Sequence, residues 1–154
     1  MAINIMSPKS LSIPKSIGRQ LIFAASAASA VGNRILEDHG LTLAQWAVLQ
    51  CLWRNGELSV KDIARLTGNT PPAASRIVDR MVAAGLLLRR QNTADRRGVT
   101  IALSERAEGM RELTEVFQQV NDILLSDLTE TEAEQLFDLL ARTERAGRDW
   151  LDGA

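Results

Sequence analysis

The run S-V-K-D-I-A-R-L-T-G-N-T-P-P-A-A-S-R-I-V-D-R-M, Ser59 to Met81, decides how this chain folds. Ser59 and Asp62 are placed to cap a short helix, V-K-D-I-A-R-L-T, which Gly68 closes. Thr70 is placed to cap the next helix. Pro71 takes its first position, where the missing N–H costs nothing. Ala74, Ile77, Val78, Met81 and Val82 form an apolar stripe on that second helix, and Gly85 ends it. Two short helices joined by so tight a turn make a helix–turn–helix. The period then changes to two. Leu87 to Arg90 reads as one strand, and Val99, Ile101 and Leu103 alternate with Thr100 and Ala102 on a second. The tip between them is N-T-A-D-R-R-G-V-T, Asn92 to Thr100. A hairpin directly after a helix–turn–helix makes the module winged.

Upstream, L-T-L-A-Q-W carries a Thr42/Gln45 capping box and a Leu41/Trp46 hydrophobic staple. Trp46, Leu49 and Trp53 line one face of the helix that follows, while Val48, Cys51 and Leu52 make its other sides apolar too. Such a helix is buried on several sides, and it stops near Asn55-Gly56. Before it, Ile17, Leu21, Ala24, Ala28, Val31 and Ile35 form an a/d seam on a helix that starts around Pro14 and ends near His39, with Gly40 as its cap. Residues 1–13 read as a loose arm. Downstream, Ser104 begins what reads as one long helix with Met110, Leu113, Phe117, Val120 and Leu124 on one side. Thr129 and Glu132 cap a last helix that runs to Trp150 or Leu151, with Leu136, Phe137 and Leu140 apolar.

The predicted fold class is mainly α with a small β-hairpin wing. Residues 1–40 form an arm and a dimerisation helix, 41–103 the winged helix–turn–helix, and 104–154 the C-terminal dimerisation helices of one intertwined domain. The flanking helices carry apolar stripes that a small central module cannot cover. A second copy would bury them, through Ile17, Leu21, Leu136, Leu140 and Trp150.

The net charge of the 154 residues is only −1, but it is unevenly placed. Residues 1–54 carry +3, residues 55–103 carry +4 and residues 104–154 carry −8. A basic middle beside an acidic tail suggests a localised anion-binding face. The second helix of a helix–turn–helix lies in the DNA major groove. Here its outward face carries Thr70, Pro71, Pro72, Ser75, Arg76, Asp79 and Arg80. The short residues at its start allow close approach, and a helix N-terminus offers N–H groups and a positive dipole end to a phosphate. Arg76 has the reach for a bidentate guanine contact, and Arg80, a turn further on, for a phosphate. By itself the pattern would also suit a helical hairpin without a ligand. The hairpin moves the balance, because Arg89, Arg90, Arg96 and Arg97 lie within nine residues, opposed by Asp95 alone. Exposed arginines on such a tip suit the minor groove.

Residues 41 to 103 resemble the MarR (multiple antibiotic resistance regulator) family of transcription factors. The matching runs are L-T-x-x-Q-W-x-V-L at 41–49, S-V-K-D-I-A-R-L-T at 59–67 and T-P-P-A-A-S-R-I-V-D-R-M at 70–81, then G-L-L-L-R-R at 85–90 and D-R-R-G-V-T-I-A-L-S at 95–104. The helix order agrees over nearly the whole chain. The resemblance implies a dimer with interlocked terminal helices, gripping successive major grooves of a pseudo-palindrome. It makes Pro71 to Arg80 the recognition helix, sends Arg97 or its neighbour Arg96 into the minor groove, and gives Asp95 the task of holding those arginines. Ala107 departs from the family's usual glycine. The resemblance also implies a repressor relieved by a small molecule, often a phenolic or aromatic acid, bound between the dimer helices and the winged module.

Other signals fit the composition less well. Thiol sensing needs a reachable, reactive cysteine, and the single Cys51 sits mid-helix among apolar neighbours. The hydroperoxide-sensing branch of the family places its cysteine in the first helix near tyrosines, and this chain has neither there. Metal sensing needs converging ligands, and there is one histidine, His39. No metal or other cofactor is expected. That leaves an organic effector or none. Trp46 would line an aromatic pocket, with Arg19 or Arg34 meeting a ligand carboxylate, or else all three have the ordinary roles of core tryptophan and solvated arginines. No nucleophile–base pair, phosphate loop or paired acid motif suggests an enzyme. No apolar run approaches the ~20 residues of a membrane span, and the N-terminus lacks a signal-peptide core, so a cytoplasmic protein is expected. The expected partners are double-stranded DNA, a second copy of the chain and a small organic effector. The alternative is a winged-helix module that binds an acidic protein instead of DNA.

Overall fold

A computed structural model describes residues 15–91 and 98–153. The elements run α1 (Ile17–Leu36), α2 (Leu43–Asn55), α3 (Val60–Thr67), α4 (Pro71–Ala83), β1 (Leu87–Gln91), β2 (Val99–Leu103), α5 (Glu105–Glu108), α6 (Val116–Leu124) and α7 (Glu130–Asp152). Ser16 is the N-cap of α1, its hydroxyl accepting from the Arg19 amide, so the helix starts after Pro14 and not at it. It ends at Leu36 and tightens into a 3₁₀ turn, Glu37–His39.

The core is built around α2. Trp46, Val48, Leu49, Leu52 and Trp53 are all buried. Ile63 of α3, Val78 and Met81 of α4, Leu87 of β1, Ile101 of β2, and Leu113 and Val116 downstream join them in one cluster. Each such large side chain contributes about 1.5–3 kcal/mol by leaving water. Thr42 and Gln45 complete the expected capping box on α2. Asn33 adds a second cap from outside, its Oδ1 accepting from the Leu43 amide at 2.7 Å. α1 comes this close because Gly32 has no side chain. A Cβ there would lie 2.7 Å from a Leu43 methyl.

Turns separate the helices of the winged module where backbone geometry requires it. Gly68 takes φ 68° between α3 and α4, and Gly85 takes φ 71° between α4 and β1. β1 and β2 pair antiparallel, with Arg89 opposite Ile101 and Arg90 opposite Thr100. Leu58 adds a bridge on the other edge of β2, its amide and carbonyl both bonded to Ile101.

The single long helix expected from Ser104 is broken. After α5 the chain bends at Gly109–Met110, runs as a 3₁₀ turn over Arg111–Glu115, and only then resumes as α6. The cause lies on α2. The Trp53 indole N–H donates to the Ala107 carbonyl at 3.0 Å, and the Trp46 indole N–H donates to the Leu113 carbonyl at 2.7 Å. Gln50 adds a bond to the Thr114 carbonyl, and Arg111 returns one to the carbonyl of Trp53. A continuous α-helix would aim those carbonyls along its own axis. The break turns them toward two buried indoles that need acceptors. Apolar spacing over 110–124 cannot reveal this.

α1 packs against α2 and α6. Its seam is half-buried at Leu21, Ala28, Val31 and Ile35, while Ile17 and Ala24 stay exposed. α7, about 35 Å long at 1.5 Å per residue, buries none of its residues within the chain.

The indole bonds carry a prediction. Trp46→Phe keeps the ring but leaves the Leu113 carbonyl without its donor in the core. Urea unfolding at fixed protein concentration should show a loss of about 2–4 kcal/mol. A loss below about 0.5 kcal/mol would show that the bond is dispensable.

Candidate nucleic-acid interface

The sequence places seven residues on the outward side of α4, and six of them, Thr70, Pro71, Pro72, Arg76, Asp79 and Arg80, are exposed, with Ser75 half-buried. Thr70 caps the helix, its hydroxyl accepting from the Ala73 amide at 3.4 Å. This corrects one expectation. Pro71 and Pro72 have no N–H, Ala73 donates to Thr70 Oγ1, and Ala74 donates to the Thr70 carbonyl. The first turn therefore offers a phosphate its dipole but no free amide from these positions. Charge on this face comes from arginine. Arg80 lies back along the helix, its Nε donating to the Arg76 carbonyl at 3.2 Å, and it borders a cavity of about 110 Å³ with Thr42, Ala44, Gln45 and Ile77. The guanidinium of Arg76 has no ion-pair partner among the described residues.

The hairpin arginines divide into two groups. Arg89 is ion-paired with Asp79 of α4. Arg90 is paired with Glu57, in the connection between α2 and α3, at 2.8 Å. The hydroxyl of Thr100, on β2, donates to the other oxygen of Glu57 at 2.9 Å. These bonds, that of Thr100 first, hold the Glu57 carboxyl below the usual glutamate value. Asp95, Arg96 and Arg97 lie outside the described residues, as does the arm 1–13. Glu57 was not legible as a partner, because it lies 33 residues from Arg90 and 43 from Thr100. Asp79 was visible only as an acid on a basic face. A usable signal existed: consecutive strand residues point to opposite sides, so Arg89 and Arg90 require two different partners.

The candidate effector residues do not converge within the chain. Arg19 lies 4.6 Å over the Phe23 ring, and Arg34 pairs with Glu37. They sit 15 residues apart on α1, roughly 22 Å along its axis. Arg34 borders a shallow cleft with Asn33, Leu41 and Thr42. Trp46 is buried, its indole turned to Leu113. Cys51 is half-buried, and burial pushes its thiol up, opposed by the nearby Arg54. His39 is exposed at the end of the 3₁₀ turn. Among the described residues no three His, Cys, Asp or Glu gather as a metal site, and no helix is long and apolar enough to cross a membrane.

A short helix, a tight turn, an exposed arginine-bearing second helix and a hairpin define a winged helix–turn–helix of the kind that DNA-binding transcriptional regulators carry. The model of the MarR family matches residues 41–99. The transcriptional repressor MdtR of Bacillus subtilis (strain 168) is 34% identical over 114 residues, covering 72% of this chain and 72% of MdtR. The chain belongs to the MarR family, and it is a DNA-binding transcriptional regulator and not an enzyme. The chain spans 57% of the length of one curated relative, the transcriptional regulator TtmR of Methylorubrum extorquens (strain PA1), and 77% of another, MgrA of Staphylococcus aureus. A cysteine-to-serine variant of MarR from E. coli, solved with operator DNA, superposes with TM-score 0.76 at 25% identity, over 82% of this chain and 92% of that one. BpsR of Bordetella bronchiseptica, solved in work on regulation of its DNA binding by 6-hydroxynicotinic acid, superposes with TM-score 0.78 at 24% identity, over 87% and 96%.

The Glu57 cluster predicts a pH dependence. A carboxyl whose folded pKa lies below its unfolded value adds stability above the unfolded pKa, and that stability is lost as pH falls through the folded one. Wild type should therefore be more stable than Glu57→Gln at neutral pH. The gap should close as pH drops below about 4.3, the ordinary glutamate value. Thermal unfolding of both across pH 3–7 checks this, and a constant gap would contradict it.

Proposed function

We propose that the protein is a homodimer, acting in the cytoplasm, that represses transcription from a pseudo-palindromic operator and is released by a small organic acid. The observation that carries the DNA part is Arg76 on the exposed face of α4, with no ion-pair partner among the described residues, beside an arginine-rich hairpin. In this reading Thr70, Pro71, Pro72 and Ser75 let the backbone approach the major groove. Arg76 reads a base edge and Arg80 meets a phosphate. Arg97 or Arg96 enters the minor groove, with Asp95 holding the pair.

Dimerisation is supported by what the single chain leaves uncovered. Ile17, Ile22 and Phe23 on α1 and Leu136, Phe137, Leu140, Trp150 and Leu151 on α7 are all exposed, Trp150 by 72%. Apolar surface gathered on two terminal helices marks an interaction site. Residues 1–40 and 104–154 then form the dimer part and 41–103 the DNA-binding part. Repression is supported by the likeness to MdtR, and an aromatic acid as effector by the likeness to BpsR. Arg19 or Arg34 is the partner for its carboxylate. Trp46 would line its pocket only if the indole shifted from its bond to Leu113.

Two experiments test this reading. Arg76→Ala should lower affinity for a duplex selected from a random-sequence pool by about 10–100-fold, the scale of one bidentate base contact. Arg96→Ala with Arg97→Ala should weaken binding and flatten its salt dependence. Unchanged affinity in both variants would contradict the assignment. Leu136→Glu with Leu140→Glu should shift sedimentation from dimer to monomer; an unchanged dimer would remove α7 from the interface.

A further inference from the structure

Successive side chains leave a strand on opposite faces, and β1 uses this to face two carboxylates at once. Arg89 stands opposite the buried Ile101, on the side turned to the core, and its guanidinium reaches Asp79 at the edge of α4. Arg90 stands on the other side, opposite Thr100, and meets Glu57. β2 is already tied to the chain before α3 by the Leu58–Ile101 backbone pair. β1 lies on the far side of β2 from Leu58, and the Arg89–Asp79 pair links it directly to α4.

Asp79 is out of place by charge alone. It is exposed on the same side of α4 as Arg76 and Arg80, where a carboxylate would repel an approaching phosphate. In the structure it holds Arg89. We infer that Asp79 and Arg89 are positioning residues for DNA binding. Their ion pair fixes the angle of the hairpin to the recognition helix, and Arg89 is engaged there and not on a phosphate. The inference rests on the DNA-binding reading above. An exposed pair of this kind adds little to folding stability. Its effect comes through geometry. α4 and the hairpin must fit one duplex together, and a hairpin leaving at another angle loses the contacts carried by residues beyond Gln91.

The sign of one substitution separates this from simple charge. Asp79→Asn removes a negative charge from the DNA-facing surface. If only charge mattered, affinity would rise. If the pair sets the geometry, affinity falls. The experiment measures anisotropy of a labelled duplex that the wild-type protein has selected from a random-sequence pool, across a salt series, for full-length D79N, R89Q, the double variant D79N/R89Q and the charge swap D79R/R89D. The expected result is a loss of about tenfold or more for each single variant. The double variant should be no weaker than either single one, and the swap should recover most of the affinity. Circular dichroism and sedimentation should match wild type throughout. The inference is overturned if D79N binds as tightly as wild type or tighter. It is also overturned if R89Q alone weakens binding and lowers the salt slope by about one, the mark of a lost phosphate contact. Additive losses with no recovery in the swap would overturn it as well. If the wild-type protein selects no duplex at low salt, the DNA-binding reading itself fails, and this inference with it.

Discussion

Two indole N–H groups on one helix organise the molecule. α2 is apolar on nearly every side, so it must be the centre, and tryptophan at 46 and at 53 brings two buried donors into that centre. Buried donors need acceptors. The structure supplies them by interrupting the helix after β2, so that the carbonyls of Ala107 and Leu113 turn inward. This links the winged module to the segment leading into α6 and α7 by hydrogen bonds as well as packing. A shift of α6 relative to the DNA-binding half would disturb those bonds.

The winged module solves a second problem, that of presenting positive charge without losing its shape. Of the four arginines on α4 and β1, Arg89 and Arg90 are held by carboxylates, Arg80 lies along its own helix, and Arg76 has no ion-pair partner among the described residues. Net charge is a poor guide here. The basic N-terminal and middle segments and the acidic C-terminal segment nearly cancel over the chain, yet they occupy different parts of the fold. The arrangement leaves a local positive face on a nearly neutral protein, suited to steering toward a polyanion.

Much of this was legible from residue order. Caps at Thr42, Ser59, Thr70 and Thr129 fixed four helix starts, because a side-chain oxygen bonding the third amide on is a local interaction. The turn glycines at 68 and 85 and the alternation after 98 located the helix–turn–helix and the wing. What was not legible depends on distant partners. The break after Glu108 is dictated by tryptophans more than fifty residues upstream. The tie of Glu57 to the hairpin, and the capping of α2 by Asn33, depend on which surfaces meet in space. The absence of free amides at the start of α4 could have been read directly from two adjacent prolines and a capping threonine.

In the proposed complex α4 enters a major groove, once for each copy in a two-fold pair. Hydroxyl-radical and methylation footprinting on a selected duplex tests it most directly. The expected result is two symmetric protected segments centred about one helical turn, roughly 10 base pairs, apart. Guanine N7 atoms should be shielded in the major groove within each segment. A single asymmetric footprint, or backbone protection with every guanine N7 still reactive, would contradict it.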